Sequence, residues 1–250
     1  FSLFRVYADK DGNPAEYSPN NVPLKPKYHL TTSLKGFEEN DFAMILGYPG
    51  RTNRWMPAGG IQQNVEYAYP AWVEASKTSM DVMKKYMDKD QQVKLDYASS
   101  YASIANYWKN RQGMIDALTQ HKTAESKRNE EKAFQKWASK KGNDRFEEVI
   151  PVINNYYKNT NKASAHDNYL GLLLRTRMAT IPYRLGNAMD YYLQQNEAKQ
   201  AEVKPQLEAE INDLYEGIYM PLEKDVLAAQ LKLYSTKAEN IAPMVARIAT

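Results

Sequence analysis

Histidines are scarce in this chain of 250 residues; there are three, His29, His121 and His166. One lies in Ser164-Ala165-His166-Asp167, a run that holds every residue type of a nucleophilic triad. Such a triad needs its groups hydrogen-bonded in series across space. On a helix, consecutive residues instead fan out by about 100° each, so these neighbours cannot form that chain. The spacing of Ser164 and Asp167 fits a capping box with Asp in place of Glu, and predicts a helix that starts there. The sequence has no G-x-S-x-G elbow, H-E-x-x-H pair, Walker loop or G-x-G-x-x-G turn. Gly47-Tyr48-Pro49-Gly50 has neither the length nor the lysine of a phosphate loop and reads as a turn. With no cysteine, disulfides, thiol catalysis and thiolate zinc sites are excluded. The expectation is no cofactor and no metal.

A different kind of chemistry is offered near Trp108. At about 100° per residue, Val93, Tyr97, Tyr101, Ile104, Trp108 and Ile115 share one side of a helix. Ser99, Ala102, Ser103, Asn106, Asn110 and Gly113 share the other. Close helix packing explains a stripe of small polar residues. So does a cleft, in which the Asn106 carbonyl oxygen could accept from a ligand ammonium. The residue pattern leaves both open.

The elements that must carry these residues fall into two unlike parts. Residues 1–60 hold six of the 12 prolines and six of the 11 glycines. Apolar runs at Leu3–Ala8, Tyr28–Leu34 and Asp41–Gly47 alternate with turn residues, and predict strands joined by loops. Three or four strands are too few to close a barrel or build a sandwich. Residues 61–250 have helical spacing throughout, from Pro70 at a first turn and Trp72, Ser76, Met80, Met83 and Met87 behind it. Further helices are predicted at about 90–119, 123–140, 143–158, 164–195, 199–215 and 221–238. Gly142 and Gly217 stand where helices should stop. The fold class is mainly α: an irregular antiparallel helical bundle preceded by a short β segment.

Charge and hydropathy narrow the partners. Thirty-three basic and 30 acidic residues give a net charge of +3, too balanced for a nucleic-acid partner. The basic run at Lys122–Lys141 is interleaved with Glu125, Glu130 and Glu131, as on a solvated helix face. No apolar run approaches the length of a membrane span. A free-standing helical interaction module remains a reading, since 19 tyrosines could furnish an interface. The β segment counts against it, because a complete binding domain has no need of one.

Long strings in the first part carry a resemblance. They are Phe1-Ser2-Leu3-Phe4-Arg5-Val6-Tyr7-Ala8, Asn13-Pro14-Ala15-Glu16-Tyr17-Ser18, Asn21-Val22-Pro23-Leu24-Lys25-Pro26-Lys27, and Asp41 through Arg54. Asn106-Tyr107-Trp108-Lys109-Asn110 extends it into the helical part. The chain resembles the bacterial serine dipeptidyl-peptidases of the dipeptidyl-peptidase 7 and 11 type. That resemblance implies a chymotrypsin-like double β-barrel with a helical domain inserted as a lid, exported to the periplasm or cell surface and homodimeric. It implies a peptide substrate with a free N-terminus, from which dipeptides are released. It places the triad aspartate just ahead of Phe1, the histidine further upstream and the serine beyond the far end. No catalytic residue is therefore expected within these 250, and the chain alone should be inert. One substrate-binding residue carries over: the family's amine-holding asparagine falls on Asn106. Barrel strands cut from their partners would leave open edges, so residues 1–60 of the isolated chain should either pair between copies or be poorly ordered.

Overall fold

The computed structural model describes residues 4–44, 46, 47, 50, 53–142 and 144–238. The chain divides into two compact units, Phe1–Thr52 and Asn53–Thr250.

Among its described residues the first unit holds one two-stranded antiparallel sheet, β1 (Tyr7–Ala8) with β2 (Val22–Pro23), in which Tyr7 faces Pro23 and Ala8 faces Val22. Asp9 shapes the turn that follows β1. Its Oδ1 accepts from the backbone N–H groups of Asp11 and Asn13, and Gly12 supplies the left-handed φ of +83°. The strand expected across Tyr28–Leu34 does not form, and Tyr28, Leu30 and Leu34 are exposed. The same holds for Phe42, Met44 and Leu46, whose neighbour Ile45 lies outside the described residues, as do Leu3 and the Tyr48-Pro49 turn. The physical reason is that alternation makes a strand only where another strand supplies the ladder hydrogen bonds.

Every regular element of the second unit among the described residues is helical. α1 (Ala58–Gln63) runs through a π-helical turn (Asn64–Ala68) into α2 (Tyr69–Met87), with Pro70 in its first turn. Then come α3 (Gln91–Gln120), α4 (Thr123–Lys141), α5 (Asp144–Leu174), α6 (Arg177–Leu193), α7 (Glu197–Tyr215) and α8 (Met220–Lys237). Asp90 caps α3 by accepting from the N–H groups of Gln92 and Val93. Gly142 ends α4 in the left-handed region, and Gly217 (φ +65°) follows α7. α2 is the central helix, packed against α3, α5 and α8. Its small residues Ala71 and Ala75 let Tyr169 and Leu173 of α5 and Tyr234 of α8 close over it. Further along, Met83 meets Val93 and Tyr97 of α3 and Leu222 and Val226 of α8. Buried Gln230 ties α8 to α2 by donating to the Ala75 carbonyl and the Ser79 hydroxyl, both at 2.7 Å.

One boundary differs from the sequence expectation, and it disposes of the Ser164 cap. α5 runs unbroken from 144 to 174, so Ser164-Ala165-His166-Asp167 sits inside a helix and caps nothing. The polar run Asn159-Thr160-Asn161-Lys162 resembles a linker, yet tertiary hydrogen bonds hold it helical. Gln63 of α1 donates to the Tyr157 carbonyl at 3.0 Å, to Thr160 Oγ1 at 3.0 Å and to Asn161 Oδ1 at 3.3 Å. The break falls instead at Arg175-Thr176, where α6 begins. His166 meets the Tyr234 hydroxyl through Nε2 at 3.2 Å and serves packing between α5 and α8.

Pro151 also looks like a stop but lies within α5. Its missing N–H strips the Glu147 carbonyl of its helical donor. Gln135 of α4 replaces it, donating through Nε2 at 3.0 Å. The start of α1 is fixed in a similar way. Glu131 of α4 accepts from the Ala58 N–H at 2.7 Å and from Asn154 Nδ2 at 3.1 Å, while Asn154 Oδ1 accepts from the Gly59 N–H at 3.2 Å. A Cβ on Gly60 would stand 2.9 Å from Tyr157 Cζ, so glycine is what lets α1 lie against α5.

Candidate functional site

The apolar stripe expected on the Trp108 helix is the side α3 turns inward. Val93 and Tyr97 are buried, and Tyr101, Ile104, Trp108 and Ile115 are half-buried. The opposite stripe is open: Ser99, Ala102, Ser103, Asn106, Asn110 and Gly113 are all exposed. The Asn106 carboxamide thus faces solvent in this chain and is not consumed by helix packing. Among the described residues it has no hydrogen-bonding partner, so both its donor and acceptor groups are available.

Close by on α3, Ser100, Ser103, Ile104 and Tyr107 form one wall of a cavity of about 310 Å³. Its other walls come from α2, from the α5–α6 junction and from α8. On the helical wheel Asn106 borders this wall, about 60° round from Ser103 and 100° from Tyr107, and does not itself line the cavity.

One corner of that cavity is a buried charge network which the sequence reading missed. Glu223, in the first turn of α8, is 4% exposed. Its Oε1 accepts from the Tyr97 hydroxyl at 2.7 Å and lies 3.6 Å from Arg177 Nε. The Arg177 guanidinium also stacks over the Tyr97 ring, 5.2 Å from its centroid. The Tyr97 hydroxyl in turn accepts from the Tyr219 N–H at 3.0 Å, just ahead of α8. Burial raises the Glu223 carboxyl above its ordinary 4.5, against the opposing effects of Tyr97 and Arg177. Burial first, then the neighbouring carboxylate, push the Tyr97 hydroxyl up to about 12 despite the Tyr219 N–H. Tyr97 therefore stays protonated and donating at neutral pH. Three sequence-distant residues close the network, so spacing could not have revealed it.

A second tyrosine–carboxylate pair braces the far side of α2. Tyr169 donates to Glu74 Oε2 at 2.6 Å, and Lys237 pairs with Oε1 at 2.9 Å. Partial burial works against the Glu74 charge, but these two donors hold its carboxyl below the usual value. No cluster of His, Cys, Asp and Glu able to hold a metal occurs among the described residues. Nor, among them, is any helix long and apolar enough to cross a membrane.

The fold is a helical bundle with an open amide face and a small cavity beside it, and comparison with known proteins identifies its family. The peptidase S46 family model matches residues 1–249, and the chain belongs to that family. It is 51% identical over 252 residues to a dipeptidyl-peptidase 7 of Capnocytophaga gingivalis, covering 99% of this chain and 35% of the relative. It is 32% identical over 241 residues to an Asp/Glu-specific dipeptidyl-peptidase of Flavobacterium psychrophilum, covering 95% and 34%. Among solved structures it is similar to Porphyromonas endodontalis DPP11 in complex with the dipeptide Arg-Glu. The TM-score there is 0.71 and the identity 29%, over 93% of this chain and 34% of that one. The chain spans about a third of the length of these relatives.

Proposed function

We propose that this chain is the helical part, with an adjoining β segment, of a serine dipeptidyl-peptidase that releases dipeptides from free peptide N-termini. The carrying observation is the family match across residues 1–249 together with an open Asn106 on α3. Within such an enzyme the bundle acts as a wall over the cleft. An ammonium at a peptide terminus is a strong donor in search of fixed acceptors, and the Asn106 carbonyl oxygen supplies one. Because α3 is braced along its buried face, that acceptor stands at a set distance from whatever lies across the cleft. Fixing the terminus in this way makes an exopeptidase count residues before it cuts.

Cleavage is acyl transfer to a serine activated by histidine and aspartate, all three contributed by parts of the protein beyond these residues. Alone, the 250-residue chain would be inactive. The exposed apolar residues of the first unit, Tyr28, Leu30, Leu34 and Phe42, support a place for that unit in a larger β-barrel of chymotrypsin type. A homodimer, and a location in the periplasm or at the cell surface, follow from the same resemblance. The deciding assay compares dipeptide release by the full-length protein from matched peptides with free and acetylated N-termini. Release from the free peptide alone supports the proposal; equal release from both would end it.

A further inference from the structure

We infer that the 310 Å³ cavity between α2, α3, the α5–α6 junction and α8 is a binding site for a small amphipathic carboxylate, such as an apolar amino acid or short peptide presenting its α-carboxylate. Its volume is at the small end of the range for ligand pockets, about 300–1,000 Å³. Two guanidiniums, Arg175 and Arg177, line it against the single carboxylate of Glu223. Glu223 is engaged by Arg177 and by the Tyr97 hydroxyl. Arg175 is left over. It stacks on the face of Trp72, 5.0 Å from the ring centroid, and has no carboxylate partner among the described residues. A guanidinium seated over an indole still has N–H groups for a planar, two-oxygen acceptor, which is the geometry of a carboxylate.

A second observation points the same way. Ser76 lines the cavity at 1% exposure, and its hydroxyl finds no hydrogen-bond partner among the described residues. The Trp72 indole N–H, on another lining residue, is likewise closed to solvent and unpartnered. Buried polar groups are normally satisfied, and those left over mark places where a further group belongs. The indole can only donate and the hydroxyl can donate, so one acceptor would serve both, in keeping with the surplus positive charge. Met83, Leu172, Leu222 and Val226 also line it, among further serine and threonine residues, and offer a surface for a hydrocarbon body. Donors and hydrocarbon side by side in one small cavity select against bare inorganic anions and against uncharged apolar molecules alike.

The site stands independently of the peptidase reading, and its test is made separable from it. Full-length protein is titrated with N-acetyl-L-leucine, N-acetyl-L-leucinamide and inorganic phosphate, followed by calorimetry and by tryptophan fluorescence. Acetylation removes the ammonium that Asn106 would take, so the amine subsite does not contribute. The acid should bind saturably, and both the amide and phosphate at least about tenfold more weakly. Arg175→Gln should weaken the acid by at least about tenfold, while Arg175→Lys, which keeps the charge, should lose less. Arg175 is exposed, so an unchanged melting temperature in both variants certifies the fold. Equal affinity for acid and amide, phosphate bound as tightly as the acid, an acid affinity unmoved by Arg175→Gln, or no saturable binding at all overturns the inference.

Discussion

Replacing Tyr97 by Phe removes one oxygen from the middle of the buried network and leaves the ring in place. That oxygen donates to Glu223 Oε1 at 2.7 Å and accepts from the Tyr219 N–H at 3.0 Å. A hydrogen bond to a charged group contributes about 1.5–3 kcal/mol and a neutral one about 1, so the joint loss is roughly 2–4 kcal/mol. At about 2–4 °C per kcal/mol for a unit of this size, the melting temperature should fall by roughly 5–15 °C. The loss should also depend on pH in a set direction. Burial already raises Glu223 above 4.5, so the stability linked to this group is greatest below that value and declines as pH climbs through the folded pKa. Without the Tyr97 donor the folded pKa rises further, and the decline deepens. The variant should therefore lose more at pH 7.5 than at pH 4.5. Thermal unfolding followed by circular dichroism at both pH values, for wild type and variant, measures both effects. A shift under about 1 °C at pH 7.5, or a larger penalty at the lower pH, refutes the reasoning.

Three further outcomes follow from the other contacts. Glu131→Ala should destabilise the second unit by about 1.5–3 kcal/mol, and hydrogen exchange should show the effect first at the α1 amides it caps, ahead of α8. Tyr169→Phe should flatten the acid limb of the stability curve. Glu74 is held below 4.5, so it adds stability above that value and loses it as pH falls, and Tyr169 is one of its two donors. Comparing urea midpoints at pH 6 and pH 3.5 should show a smaller difference in the variant than in wild type. Ser164→Ala should leave helix content and melting temperature within about 0.5 kcal/mol of wild type, because Ser164 lies within α5 and starts no helix; a loss of a whole helical turn would restore the capping reading.

How much of this could be read from the chain depended on the range of the forces involved. α3, α4, α7 and α8 lie within two or three residues of their sequence boundaries, because caps and glycines such as Asp90, Gly142 and Gly217 act locally. The break expected at 159–163 falls at 175–176 instead, because what holds α5 helical there comes from elsewhere in the chain: Gln63, which bonds across the Tyr157–Asn161 stretch. Strands over 28–34 and 41–47 were expected from alternation alone, yet alternation says nothing about whether a partner strand is at hand. The two faces of α3 were legible because 3.6-residue periodicity is a property of one helix. Glu223, Tyr97 and Arg177 were not, being 126 and 46 residues apart along the chain and joined only by the fold.

The measurement that bears most directly on the account is kcat/KM of full-length Asn106→Ala on a peptide with a free N-terminus, taken with the melting temperature. Losing one charge-assisted acceptor for the ammonium, about 1.5–3 kcal/mol, should lower kcat/KM by roughly 10- to 150-fold. Because the carboxamide is exposed and makes no hydrogen bond among the described residues, the melting temperature should not move. A kcat/KM within about threefold of wild type, or a loss matched by a fall in melting temperature, would contradict the assignment of Asn106 as the acceptor of the substrate amine.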